Sequence, residues 1–200
     1  MQVTLDSATH TYTLDDGTKL PSVSEIISPL GPDFDAIPEM ELVIDAAAER
    51  GTVLHKVFEL LLSSETDVDC PDAYAGYIAA IRLFLAEHTI VPLAVEQPMY
   101  SPTMGVAGTP DLLCEMDDAL TLIDYKFVAQ MAKTRVKAQL NAYRLMYEEQ
   151  GVMPDKLLAV QFLPNGLYCL YPVAQDTTEW ELCLALHRLK NKKHPKGAIE

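Results

Sequence analysis

Over the first twenty residues apolar positions alternate only weakly: Val3 and Leu5, then Thr11–Leu14, then Thr18–Leu20. Asp16-Gly17 separates the last two stretches, and an Asp-Gly pair between alternating segments predicts a β-hairpin. Ser22 or Ser24 is positioned to cap a short helix carrying Ile26 and Ile27. Residues 28–37 contain Pro29, Gly31, Pro32 and several acids, which predicts a loop.

From Pro38 the apolar period becomes helical. Leu42, Ile44 and Ala46–Ala48 lead through Arg50-Gly51-Thr52 to Leu54, Val57, Phe58, Leu61 and Leu62. Gly51 in mid-pattern predicts a break or a close approach of another backbone. Asp67–Pro71 predicts a polar loop. Ala73–Glu87 predicts a second helix with Tyr77, Ile81, Phe84 and Leu85 on its apolar face. The pattern then turns to strands: one through Leu93, Val95 and Met99, a second over Val106–Cys114, a third over Leu120–Phe127 after Asp117-Asp118. A helix is expected from about Thr134 to Glu149, ending at Gly151. Leu157–Phe162 and Leu167–Tyr171 predict strands joined by a Pro164-Asn165-Gly166 turn. Asp176 or Thr177 caps a last helix to about Lys190. This order predicts an α/β or α+β sandwich with a mixed central sheet flanked by helices. The chain contains no repeats, and it reads as one domain over residues 1–200. Within it, residues 1–37 form a hairpin-and-loop appendage, 38–190 the core and 191–200 a basic tail.

Composition adds little beyond an ordinary globular class. Apolar residues are 49% and charged residues 22% of 200 positions, enough to bury a core without covalent staples. No apolar run reaches membrane-spanning length. MQVTLDSATHTYTL lacks a basic start and an apolar stretch, so no signal peptide is expected. The expected setting is cytoplasmic, with no membrane partner. Cys70, Cys114, Cys169 and Cys183 match no C-x-x-C spacing and are expected to be free, mostly buried thiols.

Charge changes the picture more. The net charge of −14 argues against a polyanionic partner, but it is unevenly spread. Residues 1–125 hold 22 acids and 4 bases; residues 126–200 hold 7 acids and 11 bases. Any DNA-binding face therefore belongs mainly to the second part. The acidic remainder either restricts how DNA approaches or is simply a solvated surface.

The candidate chemistry lies where the charge switches. Asp111 falls in an apolar strand after Gly108-Thr109-Pro110. Asp124 and Lys126 are two apart on the next strand and so share one face. If the two strands are neighbours, two carboxylates and an ammonium meet at a partly buried position. Such carboxylates repel and are costly to bury unless something neutralises them. A divalent cation does so, and hard oxygen ligands suit Mg²⁺ or Mn²⁺. Such an ion activates water and stabilises charge on a phosphate, while Lys126 can orient that water or stabilise the developing charge. Phosphodiester hydrolysis is the reaction implied.

Asp111, Asp124-Tyr125-Lys126 and Gln139-x-x-x-Tyr143 together resemble the PD-(D/E)XK nuclease superfamily, within it the RecB-like and phage-type exonucleases. The pattern of Asp followed by acid-x-Lys maps onto Asp111, Asp124 and Lys126, and the Q-x-x-x-Y helix onto Gln139 and Tyr143. His55 and Glu59, four apart on one helix face, match the upstream His-bearing helix of these enzymes. The resemblance covers roughly residues 51–145. It implies a restriction-endonuclease-like core and a Mg²⁺- or Mn²⁺-dependent deoxyribonuclease, an exonuclease acting on DNA ends or single strands in recombination or repair, in a bacterium or phage-infected cell. It implies His55, Asp111, Asp124 and the Tyr125 backbone carbonyl as metal ligands, and Asp111, Asp124, Lys126, Gln139, Tyr143 and Glu59 as catalytic positions. A homo-oligomer or a recombination partner protein is a further implied association. Phe127 stands where many relatives carry Thr or Ser.

Taken singly, these features have plainer readings. D-x-K is often a strand-end salt bridge, His55 a satisfied core histidine and Glu59 a solvated helix residue. Glu96, on the strand before Asp111, reads equally as a further acid of the site or a solvated residue. Lys133, Arg135, Lys137 and Arg144 surround Gln139 and Tyr143 and are candidates for gripping the DNA backbone, against the plain alternative of a solvated helix face. Two other functions stay open: an endonuclease of the same fold, such as a resolvase or restriction-type enzyme, and a catalytically idle nucleic-acid- or protein-binding module. A third, an acidic DNA mimic, rests only on the net charge.

Overall fold

The structure, a computed structural model, describes residues 2–7, 9–31, 41–63 and 70–191, with residues 41–48 as backbone. The expected start at Pro38, most of the 28–37 loop, most of the Asp67–Pro71 loop and the tail lysines Lys192, Lys193 and Lys196 lie outside the described residues.

Strands β1 (Val3–Asp6), β2 (Thr11–Leu14) and β3 (Lys19–Leu20) form a small antiparallel sheet. The β2–β3 turn contains Gly17 at φ 84°, the left-handed conformation that makes glycine the fitting residue there. Ser22 caps the short helix α1 (Val23–Ile26), its Oγ accepting from the Glu25 N–H at 3.0 Å. Helices α2 (Glu41–Leu62) and α3 (Ala75–Glu87) follow, then strands β4 (Ile90–Val95), β5 (Met99–Ser101), β6 (Val106–Gly108), β7 (Leu112–Met116) and β8 (Ala119–Lys126). Helix α4 (Lys133–Glu148), strands β9 (Lys156–Phe162) and β10 (Tyr168–Val173), and helix α5 (Thr178–Asn191) complete the chain.

The central sheet has five strands in the order β10-β9-β8-β7-β4. Only β8 and β9 run parallel. A parallel pair needs a crossover of a dozen or more residues, and α4 is that crossover. Each edge strand carries a proline, Pro92 in β4 and Pro172 in β10, as suits strands with one unpaired side. The mixed α/β architecture expected from the pattern is the one observed.

Side chains alternate across this sheet with period two, which yields two cores. Leu113, Leu122, Leu157 and Ala159 pack beneath α1, α4 and α5, together with Val136, Leu140, Met146 and Trp180. Leu112, Ile123, Tyr125, Leu158 and Val160 point the other way, onto Leu54, Phe58, Ile81 and Phe84 of α2 and α3. Burying each large apolar side chain stabilises the fold by about 1.5–3 kcal/mol.

Three expectations need correction. Gly51 neither breaks α2 nor admits a close backbone: the helix runs through it, and a Cβ added there meets nothing within 4 Å. A mid-helix glycine costs about 1 kcal/mol, which the burial of Leu54, Val57 and Phe58 just downstream outweighs. The single strand expected through Leu93, Val95 and Met99 is two strands, β4 and β5, in different sheets. The chain turns between them at Glu96, whose φ is 46°. The strand expected over Val106–Cys114 is likewise split, with β6 pairing β5 and β7 joining the central sheet. None of the four cysteines forms a disulfide among the described residues; Cys114 and Cys183 are buried, Cys70 and Cys169 partly exposed.

Candidate metal centre

The turn that divides β6 from β7 sets Asp111 immediately before β7, and β7 pairs antiparallel with β8, Leu112 beside Ile123. Asp111 continues the side of β7 that bears Leu113, and Asp124 the side of β8 that bears Leu122; both leucines lie in the core beneath α4. The two aspartates therefore share a face. Both meet Lys126, whose Nζ lies 2.7 Å from Asp124 Oδ1 and 3.9 Å from Asp111 Oδ2. Asp111 Oδ2 also accepts the Tyr125 backbone N–H at 2.9 Å. The carboxylates are almost fully buried, whereas the Lys126 side chain keeps 26% of its exposure.

His55 and Glu96 reach the same point from the α2 side. Glu96 follows β4, next to the start of β7, and its N–H donates to the Asp111 carbonyl at 3.0 Å. Its carboxylate Oε1 accepts from His55 Nδ1 at 2.7 Å and from the Tyr125 hydroxyl at 3.2 Å. The His55 ring packs between Tyr125 and Phe127, with centroids 4.5 and 5.6 Å away. His55, Glu96 and Asp111 each offer one ligand atom, and the three atoms lie within 4.8 Å of one another. Positive φ at a non-glycine residue costs of order 1–3 kcal/mol and persists where the surroundings over-determine it. Glu96 is held at φ 46° by these main-chain and side-chain bonds.

Burial is the largest influence on the acids. It raises the Asp111 carboxyl above its ordinary range, against the opposing pull of Lys126 and His55. It pushes Asp124 up to about 6, with Lys126 again opposing and Asp111 adding to the rise. Burial lowers Lys126, but Asp124 and Asp111 outweigh it and hold the ammonium above the usual lysine value. Burial likewise lowers His55, and Asp111 and Glu96 reverse the sign. Asp124 Oδ2 is buried without a hydrogen-bond partner. Three carboxylates, two of them buried, around one lysine and one imidazole, with one buried acidic oxygen left unpartnered, fit a hard divalent cation.

Helix α4 closes the other flank. Tyr143 packs so tightly on Gly108 that a Cβ there would lie 2.6 Å from Tyr143 Cε1, so this glycine is required by close approach. Burial raises the Tyr143 hydroxyl well above its ordinary pKa, Asp111 adds to that, and a hydrogen bond with Gln139 opposes it. Gln139, Tyr143, Asp111 and Asp124 are thus neighbours. Nearby, the Tyr12 hydroxyl of β2 lies 2.9 Å from Thr109 Oγ1, tying the N-terminal sheet to the turn that carries Asp111.

The other candidates divide. Glu59 lines an open cleft of about 630 Å³ together with His55, Glu96, Gly51 and Thr52, but its carboxylate pairs with Lys56 at 2.7 Å. Asp124 is turned to Lys126 and stands outside the His55–Glu96–Asp111 triad. Of the four basic residues, Arg135 is four before Gln139 and shares its side of α4. Lys137 is about 160° away around the helix and Arg144 about 140°. Lys137 is tied to Asp176 and Glu179, Arg144 to Glu148 and Asn141. Lys133 stacks over the Tyr171 ring. The geometry therefore does not gather these four around Gln139 and Tyr143: a helix spreads neighbours in sequence around its circumference. Glu96 is the residue whose place the sequence left undecided. Its acidity was visible, but the turn that aims it inward is a tertiary feature.

No family model matches the chain, and no curated protein matches it. Among solved structures, the crystal structure of SSO0001 is similar at 16% identity and a TM-score of 0.43, over 88% of this chain and 78% of that one. The crystal structure of an alkaline exonuclease, LHK-Exo from Laribacter hongkongensis, is similar at 14% identity and a TM-score of 0.39, over 84% of this chain and 88% of that one. Likeness this loose carries no argument. No helix among the described residues is long and apolar enough to cross a membrane.

Proposed function

We propose that this protein is a divalent-metal-dependent nuclease that hydrolyses DNA phosphodiester bonds at the centre formed by His55, Glu96, Asp111, Asp124 and Lys126. The observation that carries this reading is that the buried Asp111 has a ligand atom within 4.8 Å of ligand atoms on the half-buried His55 and Glu96 and lies 3.9 Å from the Lys126 ammonium. A structural ion pair needs one carboxylate for its lysine. This cluster adds two more acids and an imidazole, at a cost in desolvation that a bound cation would offset.

His55, Glu96 and Asp111 would hold the ion, with Asp124 Oδ2 and the Tyr125 carbonyl as further oxygen donors. Mostly hard oxygen donors with one imidazole suit Mg²⁺ or Mn²⁺. When bound, such an ion lowers the pKa of a coordinated water and neutralises charge on the scissile phosphate. Lys126, kept protonated by its two aspartates, donates to the attacking oxygen or to a phosphate oxygen. Tyr143, with its pKa raised, stays a hydroxyl donor at neutral pH, and Gln139 orients it. Glu59 faces the cleft from α2, with its carboxylate free to exchange Lys56 for water. Arg135 supplies a backbone-phosphate contact on the same side.

We read the activity as exonucleolytic, on the strength of the Gln139-x-x-x-Tyr143 helix and its resemblance to RecB-like enzymes. The test is digestion of end-labelled linear DNA beside covalently closed circles. Linear DNA should be degraded with Mg²⁺ or Mn²⁺ and not with EDTA, and closed circles should survive. Cut circles would make it an endonuclease with the same chemistry. No cleavage of either, together with no Mn²⁺ binding by calorimetry, would overturn the reading.

A further inference from the structure

Gly51 stands in the middle of α2, where glycine is the poorest helix former after proline. Glycine suits such a place where the missing side chain is used, by close packing or by a ligand that approaches the backbone. The other described glycines have evident reasons. Gly17, Gly105, Gly151 and Gly166 have positive φ, and at Gly31, Gly76 and Gly108 an added Cβ would meet an atom closer than 3.0 Å. Gly51 has neither: it is helical, and a Cβ there meets nothing within 4 Å among the described residues. The space it leaves open belongs to the cleft of about 630 Å³ that it lines with Thr52, His55, Glu59 and Glu96.

We propose, resting on the nuclease reading, that Gly51 seats the sugar–phosphate backbone of the DNA strand where it leaves the metal centre. Residues four apart share a helix face, so Gly51 and Glu59 lie one turn to either side of His55, each about 6 Å along the axis. A strand held by its scissile phosphate beside His55, Glu96 and Asp111 has these two directions along α2. Toward Glu59 it meets two side chains standing off the helix, Glu59 and Lys56, joined at 2.7 Å and without net charge for a phosphate. Toward Gly51 it meets bare backbone, on which a sugar and its phosphate can lie directly against the Cα. A cation stands at that end as well. Arg50, the preceding residue, lies over the Tyr77 ring at 6.0 Å, and its Nε is buried without a hydrogen-bond partner among the described residues. Sterics and charge therefore favour the same direction. The helix accepts a poorer helix former one turn from a metal ligand because a side chain there would stand in the path of the substrate.

The experiment compares the full chain with its Gly51→Ala and Gly51→Leu variants in four measurements: thermal melting, Mn²⁺ binding by calorimetry, fluorescence anisotropy of an end-labelled single-stranded oligonucleotide in Ca²⁺, and cleavage of that oligonucleotide in Mn²⁺. Alanine is the better helix former and meets nothing, so Gly51→Ala should melt about 2–4 °C higher. Mn²⁺ affinity should stay that of the wild type in both variants. DNA affinity should nevertheless fall, by about tenfold in Gly51→Ala and about a hundredfold in Gly51→Leu, with KM for cleavage rising in step. A more stable protein that binds metal normally and DNA poorly is a result that a glycine needed by the fold does not produce. A lower melting temperature in Gly51→Ala overturns the proposal. So does DNA affinity that stays at the wild-type value in both variants. A wild type that cuts the oligonucleotide, beside a Gly51→Leu variant that cuts it with the same KM, overturns this inference and leaves the nuclease reading standing. A wild type that neither binds nor cuts DNA overturns both.

Discussion

Two lysines among the described residues, Lys137 and Lys126, sit between two carboxylates each, and only Lys126 belongs to the candidate metal centre. Lys137 lies 2.6 Å from Asp176 and 2.9 Å from Glu179, acids that keep 46% and 26% side-chain exposure. Lys126 lies 2.7 Å from Asp124 and 3.9 Å from Asp111, whose side chains keep 2% and 7%. At the surface, hydrogen bonds from Lys137 and Thr178 hold Asp176 well below the usual carboxylate range. In the sheet, burial wins over the same kind of partner and both aspartates rise. Pairing alone makes a solvated salt bridge. Pairing beneath a sheet, with surplus acid, leaves buried carboxylate whose charge a bound cation would offset.

The sharpest way to break the contrast is to remove the buried groups. Asp111→Ala, Asp124→Ala and Lys126→Ala should each lower single-turnover cleavage roughly a thousandfold or more, as expected where charge stabilisation is the main term. Lys137→Ala should leave the rate unchanged within error. Equal losses at both lysines would erase the distinction. Lys126→Met should also destabilise the metal-free protein by about 3 kcal/mol, because it strands two buried carboxylates. Urea unfolding measures this, and Asp124→Asn added to Lys126→Met should recover part of the loss.

His55→Ala tests the reach of the site across the sheet. Metal affinity by calorimetry should fall by about a hundredfold, since both a ligand and the Glu96 orientation are lost. Unchanged affinity would remove His55 from the ligand set. A smaller effect concerns pH. Asp124 titrates near 6 in the folded, metal-free chain and near 3.9 when unfolded. The native state therefore binds more protons between these values. Its stabilising contribution is complete below about pH 4 and is lost as pH rises through about 6. The melting temperature of the metal-free protein should fall over this window relative to Asp124→Asn, and saturating Mn²⁺ should reverse the trend. Asp176, whose pKa is lowered, carries the opposite sign: its contribution is present at neutral pH and lost on acidification.

The amino-acid sequence by itself determined most of the local structure. Apolar period separated the helices from the strands, Ser22 or Ser24 marked the start of α1, Gly17 a turn and Gly151 the end of α4. These depend on residues a few positions apart, which is why they are legible in one dimension. It also put Asp124 and Lys126 on one face, because strand alternation is a local rule. What it left open were features made by distant contacts. The breaks at Glu96 and before Asp111 look like continuous strand in an apolar pattern, yet pairing with different neighbours divides them. The helix through Gly51 survives because packing on the sheet outweighs local propensity. The separation of Lys137 and Arg144 from Gln139 follows from helix rotation and from partners on α5 and within α4. Above all, only the tertiary structure decided that Glu96, on a turn, meets His55 and Asp111. Convergence of side chains 15 and 41 residues apart along the chain is set by sheet order and burial, and neither is written in the spacing of the residues themselves.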